Sequence, residues 1–190
     1  MSDKSLSRWL FLAVVASGVA YVTFAASFFP NHHGRLGGDY EYFLPLLLAD
    51  KYWIAANGIL AAPRFSPAFC GGLPLLANPQ SIFYSIPQLL SLVVEPITSF
   101  LATTVISAWI GAGGTFLLLA RRFATSSGAA ALSAVIFLFN GFLLHRMAIG
   151  HVTYHVVGLV PLLCYWLLAP LDRTERPIER LRQTIRPTAG

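Results

Sequence analysis

Apolar positions along this chain come in long unbroken runs, not at the spacing of an amphipathic soluble fold. From Trp9 to Phe29 there is no charge over 21 residues, and the run ends at Pro30. A second run extends from Pro96 to Ala120 and stops at Arg121-Arg122. A third, from Gly128 to Leu144, stops at His145-Arg146, and a fourth spans Val152 to Leu171. About 20 apolar residues rising 1.5 Å each cross a hydrocarbon layer of about 30 Å. The pattern therefore predicts an all-α integral membrane fold with four crossings, at 9–30, 96–120, 128–144 and 152–171. A cleaved signal peptide is the rival for the first run, since Ala25-Ala26-Ser27 resembles a small-residue cleavage site. Against it, the run is long for the apolar core of such a peptide, which is about 7 to 15 residues.

Between the first two runs lies a loop over 31–95, rich in Pro, Gly and Asn turn chemistry, that contains two shorter apolar pieces. The stretch 42–59, YFLPLLLADKYWIAANGI, suits a helix lying at the membrane interface, with Pro45 tolerable in a first helical turn. The stretch 82–94, IFYSIPQLLSLVV, is short for a crossing and broken by Pro87, so it is expected to lie at the membrane surface or dip into it. A full extra crossing there would invert everything downstream.

Composition supports the membrane assignment. Hydrophobic residues make up 56% of the 190 positions, charged residues only 11%, and mean hydropathy is +0.65. A soluble domain normally carries about 25% charged residues to solvate its surface. The net charge of +5 does not point to nucleic acid, because the basic residues cluster beside apolar runs and form no polar face. They act as topology signals. With the N-terminus in the cytoplasm, Lys4, Arg8, Arg121, Arg122 and the tail residues Arg173, Arg176, Arg180, Arg182 and Arg186 are inside, and Arg35, Lys51, Arg64 and Arg146 are outside. That bias obeys the positive-inside rule and argues against the extra crossing. Residues 31–95 and a short turn at 145–151 then face the same outer compartment, and 172–190 forms a basic cytoplasmic tail. Cys70 and Cys164 are too few for a disulfide framework.

Chemistry-bearing residues concentrate on that outer side. Gly37-Gly38-Asp39-Tyr40-Glu41 follows directly on the first crossing. Asp39 and Glu41 can hold a divalent cation through hard oxygens, or one can take a proton from an incoming hydroxyl while the other orients it. Equally, acids favour a helix N-terminus, and Asp39 stands where an N-cap would. His145, Arg146, His151 and His155 lie around the second outer turn. His151 and His155, four apart, would share one face of an α-helix and could bind a metal. A histidine beside Arg146 could bind phosphate, and His145-Arg146 could simply end a helix at the headgroups. Arg35 could pair with phosphate, with Glu41 or with headgroups, and His32-His33 suit headgroup depth. No nucleotide-binding glycine loop and no persuasive Ser-His-Asp or Cys-His order is present.

Taken together, GGDYEYFLPLLLADKYW, PRFSPAFCGGLPLLANPQSIFYSIPQLL and FNGFLLHRMAIGH resemble the N-terminal half of bacterial polytopic GT-C glycosyltransferases, including the YfhO-type membrane proteins. The resemblance covers about residues 9–170. It is most specific from Ser66-Pro67 through Gly71-Gly72-Leu73-Pro74 and Asn78-Pro79-Gln80 to Phe83-Tyr84, and softer at Gly150-His151. It implies an enzyme of the bacterial cytoplasmic membrane, with both termini inside, that passes a sugar from a polyprenyl-phosphate carrier to an acceptor on the outer face. Asp39 matches the family's essential acidic residue and Glu41 is its companion. Arg35, Arg146 and His151 become candidates to hold the lipid phosphate. A divalent cation, Mg²⁺ or Mn²⁺, would draw on Asp39, Glu41, His151 and His155. Such enzymes have many more crossings than four, so the chain resembles about half a protein, with a second membrane polypeptide as an expected partner.

The competing expectation is a non-catalytic membrane subunit or truncated remnant that binds lipid carriers or partner helices. A small transporter would need ionisable residues deep within several crossings, and the first three runs carry none in their interiors.

Overall fold

The computed structural model describes residues 3–29, 34–67 and 71–168. The end of the fourth apolar run, the basic tail, His32, His33 and Cys70 lie outside them. The described elements are helices α1 (Asp3–Phe28) and α2 (Tyr40–Asn57), a hairpin of β1 (Phe65–Ser66) and β2 (Leu73–Pro74), helices α3 (Ile86–Ser91), α4 (Pro96–Arg121), α5 (Ser127–Leu138) and α6 (Gly141–Ile149), a 3-10 segment (Val152–Leu159) and α7 (Val160–Leu167).

Among the described residues, two helical stretches are long and apolar enough to cross a membrane: Pro96–Arg121, and Ser127–Ile149, which joins α5 to α6. Helix α4 begins where a proline at its first position tolerates the missing N–H and ends at the basic pair. Its burial is inverted relative to a soluble protein. Ser99, Thr103, Thr104 and Ser107 face the interior at 1% exposure or less, whereas Ile97, Ile106 and Trp109 face outward. The hydroxyls of Ser99, Thr103 and Thr104 are satisfied along their own helix, donating to the carbonyls of Pro96, Ser99 and Phe100. Small residues on this face let backbones meet closely. A Cβ on Gly158 of the 3-10 segment would lie 2.3 Å from the Ser107 carbonyl oxygen.

The third apolar run does not stop at Arg146. After a break at Phe139-Asn140, where the Asn140 side chain caps α6 by accepting from Phe142 N–H, helix continues to Ile149. The expected outer turn at 145–151 is therefore mostly helix. Beyond it the chain enters a 3-10 helix, so His151 and His155 do not share an α-helical face. At about 2.0 Å per 3-10 residue and 1.5 Å per α residue, Val152–Leu167 extends about 28 Å.

One end of the bundle is knitted by Tyr40. Its ring lies 4.9 Å from Phe29 after α1 and 5.2 Å from Phe100 near the start of α4, and its hydroxyl donates to the Met147 carbonyl of α6 at 2.8 Å. Tyr40 is 1% exposed, and burial raises its phenol well above the ordinary tyrosine range. At the opposite end, Arg122 after α4 donates through Nε to the Tyr165 carbonyl of α7 and stacks 4.4 Å over its ring. Tyr21, Ala25 and Phe29 are buried in the core, so Ala25 of the segment that resembles a cleavage site packs inside the bundle, while Ala26 and Ser27 are exposed.

The loop between α1 and α4 folds back on α2. Leu73-Pro74 pairs antiparallel with Phe65-Ser66, and Asn78 accepts from Gln80 N–H across Pro79 while donating to the Tyr42 hydroxyl at 2.8 Å. Helix α2 starts two residues earlier than expected. That puts Pro45 at its sixth position, beyond the first turn, where proline removes a helical hydrogen bond. Only six residues of 82–94 are regular helix, starting after Ser85, whose side chain accepts from Gln88 N–H.

Candidate functional site

The tightest polar constellation forms where α6 ends against the start of α2. Gly150 adopts φ +90°, and its N–H reaches the Met147 carbonyl while His151 N–H reaches that of Arg146 at 2.9 Å. These two bonds make a Schellman motif, in which a left-handed glycine closes the helix and satisfies its last carbonyls. The motif brings residue 151 back beside residue 146, and Arg146 Nη1 donates to His151 Nδ1 at 2.8 Å. A third terminal carbonyl, that of Ile149, accepts from Asp39 N–H at 3.3 Å. The close approach leaves no room at Gly150, where a Cβ would lie 2.7 Å from Tyr40 N and 2.9 Å from Asp39 Cβ.

Asp39 therefore occupies the N-cap position of α2 but does not cap it. Its φ and ψ, −69° and −18°, are helical, and the side chain makes no capping bond. The carboxylate instead places Oδ2 3.1 Å from His151 Nε2. Because an arginine N–H can only donate, His151 Nδ1 is the acceptor in the Arg146 bond, and the ring proton resides on Nε2, which donates to Asp39. Arg146, His151 and the sequence-distant Asp39 thus form one chain. The His151 side chain is 31% exposed and that of Asp39 50%, so the carboxylate can be reached from outside. Opposed helix ends favour the same polarity, with the anion at the start of α2 and the cation in the last turn of α6.

Two aromatic rings hold the cation. The Arg146 guanidinium lies 4.5 Å from the Tyr154 ring centre and 5.1 Å from that of Phe142, and Tyr154 stacks on His151 at 5.7 Å. Phe142 and Arg146 are four apart on α6, a spacing that could have found the first ring. Tyr154 depends on the 3-10 turn, which nothing local announces. Arg146 Nε is buried without a hydrogen-bond partner.

The remaining expected residues fall elsewhere. Glu41 is exposed in the first turn of α2, Arg35 is exposed on the segment leading into Asp39, and His145 is exposed on α6. His155 is buried, with Nε2 2.8 Å from Thr104 Oγ1 on α4. The donors do not fit a divalent cation as arranged. Both His151 nitrogens are engaged, His155 is turned to Thr104, and no group of three or more His, Cys, Asp or Glu gathers among the described residues.

A second polar feature is Asp50, 2% exposed on the inner side of α2, with Oδ1 lacking a partner. Burial pushes its carboxyl up to about 6. Beside it, the fully buried Gln88 amide spans one rung of α2: with the amide assigned the orientation that satisfies both neighbours, it accepts from Lys51 N–H at 3.2 Å and donates to the Leu47 carbonyl at 3.3 Å. No protein-family model, curated protein or solved structure matches this chain.

Proposed function

We propose that this chain is a membrane glycosyltransferase of GT-C type, or the N-terminal part of one. It would transfer a sugar from a polyprenyl-phosphate donor to an acceptor at the outer face of a bacterial cytoplasmic membrane. The observation that carries this reading is the Arg146–His151–Asp39 chain at one end of helices long and apolar enough to span a bilayer. In the proposed topology, α1, α4, α5 with α6, and the 3-10 segment with α7 cross in alternating directions, and 31–95 lies outside. The Tyr40 cluster then marks the outer end and Arg122 the inner end, as the positive-inside bias requires.

In this reading Asp39 is the general base. It takes the proton of the acceptor hydroxyl as that oxygen bonds to the sugar's anomeric carbon, and the bond from that carbon to the phosphate oxygen breaks, its electron pair leaving with the polyprenyl phosphate. His151, with both nitrogens engaged, orients the carboxylate and is not itself a base. Arg146, fixed by two rings and His151, supplies positive charge at headgroup depth for the leaving phosphate. Arg35 is a second cation on the same side, and Glu41 a second acid.

The test is transfer from a radiolabelled polyprenyl-phosphate sugar by the purified chain in proteoliposomes. Asp39→Asn is expected to abolish transfer while insertion is unchanged, and full transfer by that variant would remove Asp39 as catalyst. The enclosure of Arg146 between rings equally suits a non-catalytic subunit. In that case transfer would appear only when a second membrane polypeptide is added.

A further inference from the structure

The segment linking the outer loop to α4 is built inside out. On α3 and the turn after it, Gln88 and Ser91 are fully buried, whereas Ile86, Leu89 and Val93 are 40%, 44% and 81% exposed. The outward apolar line continues through Val94 to Ile97 at the start of α4. In water this arrangement has the wrong sign. Apolar side chains stay solvated while an amide and a hydroxyl give up their water. In hydrocarbon the sign reverses, because polar groups must find partners inside the protein and apolar ones can face acyl chains.

The buried amide has such partners. Gln88 bridges Lys51 N–H and the Leu47 carbonyl of α2, and the Ser91 hydroxyl donates to the Gln88 carbonyl at 2.7 Å. A second observation comes from sequence. From Phe65 to Val94 the chain carries no Asp, Glu, Lys, Arg or His over 30 residues, and the first charge after it, Glu95, stands at the N-cap position of α4 without a side-chain capping bond. A loop bathed in water has no reason to exclude charge over such a length.

We propose that Ile86, Leu89, Val93 and Ile97 form an acyl-chain contact surface, so that α3 and its following turn are a wedge sunk into the outer leaflet and latched to α2 through Gln88. The occupant of this face is lipid hydrocarbon, and neither water nor a second copy of the chain covers it. The proposal rests on the membrane reading of α4 and extends it to a segment too short to cross. Its consequence is that the bilayer itself braces α2, the helix whose start carries Asp39.

Nitroxide labels test this on the full chain reconstituted in lipid nanodiscs. Single cysteines would be introduced as Leu89→Cys and Val93→Cys in a Cys70→Ser, Cys164→Ser background. Ile106→Cys on α4 and Thr125→Cys in the exposed loop after it provide references. Labels at Leu89 and Val93 are expected to relax several-fold more with oxygen, relative to a nickel chelate, than the Thr125 label does, and to match the Ile106 label. Nickel access like that at Thr125 would overturn the proposal in favour of water. Exclusion of both reagents would overturn it in favour of protein cover. If the Ile106 label also showed nickel access, the membrane reading itself would fall, and the two failures are thereby separated. Because Leu89 and Val93 are exposed, the substitutions leave packing intact, and Leu92→Cys, also outward, repeats the measurement if either protein is lost.

Discussion

Asp39 Oδ2 and His151 Nε2 lie 3.1 Å apart, and this contact joins the start of α2 to the end of α6 across most of the chain's length. The pair is ordered by backbone. The Schellman turn at Gly150 fixes where His151 begins, and the Ile149 carbonyl holds Asp39 N–H, so both side chains emerge from rigid ends. Because the carboxylate is half exposed and the ring is uncharged, this hydrogen bond is worth little to stability, on the order of 1 kcal/mol. Its value is positional.

That contrast gives the first prediction. His151→Ala deletes the bonds to both Asp39 and Arg146 and should lower the unfolding free energy by about 1–3 kcal/mol, measured by thermal or denaturant unfolding in detergent micelles. In the proposed reaction the same variant should slow transfer far more than its stability loss explains, because Asp39 loses its orienting donor. If transfer and stability fell in proportion, His151 would be structural only.

Gly150 supplies the second. At φ +90° any other residue is strained, and a Cβ would press on Asp39 Cβ and Tyr40 N. Gly150→Ala should therefore destabilise by about 1–3 kcal/mol, the usual cost of a residue held in a sparse backbone region. Tyr40→Phe should cost about 0.5–1.5 kcal/mol, since it deletes one hydrogen bond to the Met147 carbonyl, which Gly150 N–H still serves. Unfolding curves of the two variants would check the order. A Gly150→Ala protein as stable as the parent would contradict the nested packing of the two loops.

Some of this is legible in the sequence, and the rest is hidden for definable reasons. Helix α4 is visible at both ends because Pro96 and Arg121-Arg122 are local signals. The end of α6 is not, because Arg146 looks like a stop, whereas a charge near a helix end can be neutralised by its neighbours and the true stop is the glycine four residues on. Asp39 stands out as charge in an apolar chain, but local pattern cannot choose between cap and partner, since His151 is a long-range contact. The pairing of His151 with His155 assumes 3.6 residues per turn, which the 3-10 segment does not have. Asp50 is hidden as a buried group because, beside Lys51, it looks like the polar face of an interfacial helix.

Asp50 carries the pH prediction. Burial raises its carboxyl from an ordinary 3.8 to about 6. Between those values the folded protein binds a proton that the unfolded chain releases, so this group's contribution to stability is complete below about pH 4, falls as pH rises through about 6 and is level above. Asp50→Asn removes the titration. Thermal unfolding in detergent should show the variant gaining on the parent as pH is raised from about 4 to about 7.5, with the difference then constant. Parallel curves across that range would mean that Asp50 is solvated or paired in the folded protein.

The buried Thr104–His155 contact is a sharper test of the interior. Thr104 Oγ1 donates to the Phe100 carbonyl at 3.1 Å, so in its 2.8 Å contact with His155 Nε2 it must be the acceptor, and the ring nitrogen donates. His155 Nδ1 is already buried without a partner. Thr104→Val keeps the shape but leaves both ring nitrogens unpaired. Membrane-interior hydrogen bonds average about 0.6 kcal/mol and reach about 1.7, and the upper part of that range is expected here because no alternative partner is at hand. Thr104→Ser should restore most of the loss. The double variant Thr104→Val with His155→Phe should be less damaged than Thr104→Val alone, because replacing both partners removes the stranded polar group along with the bond. Denaturation of all three in the same detergent resolves the point: if the single valine variant were the least damaged of the series, the two side chains would not be bonded across α4 and the 3-10 segment.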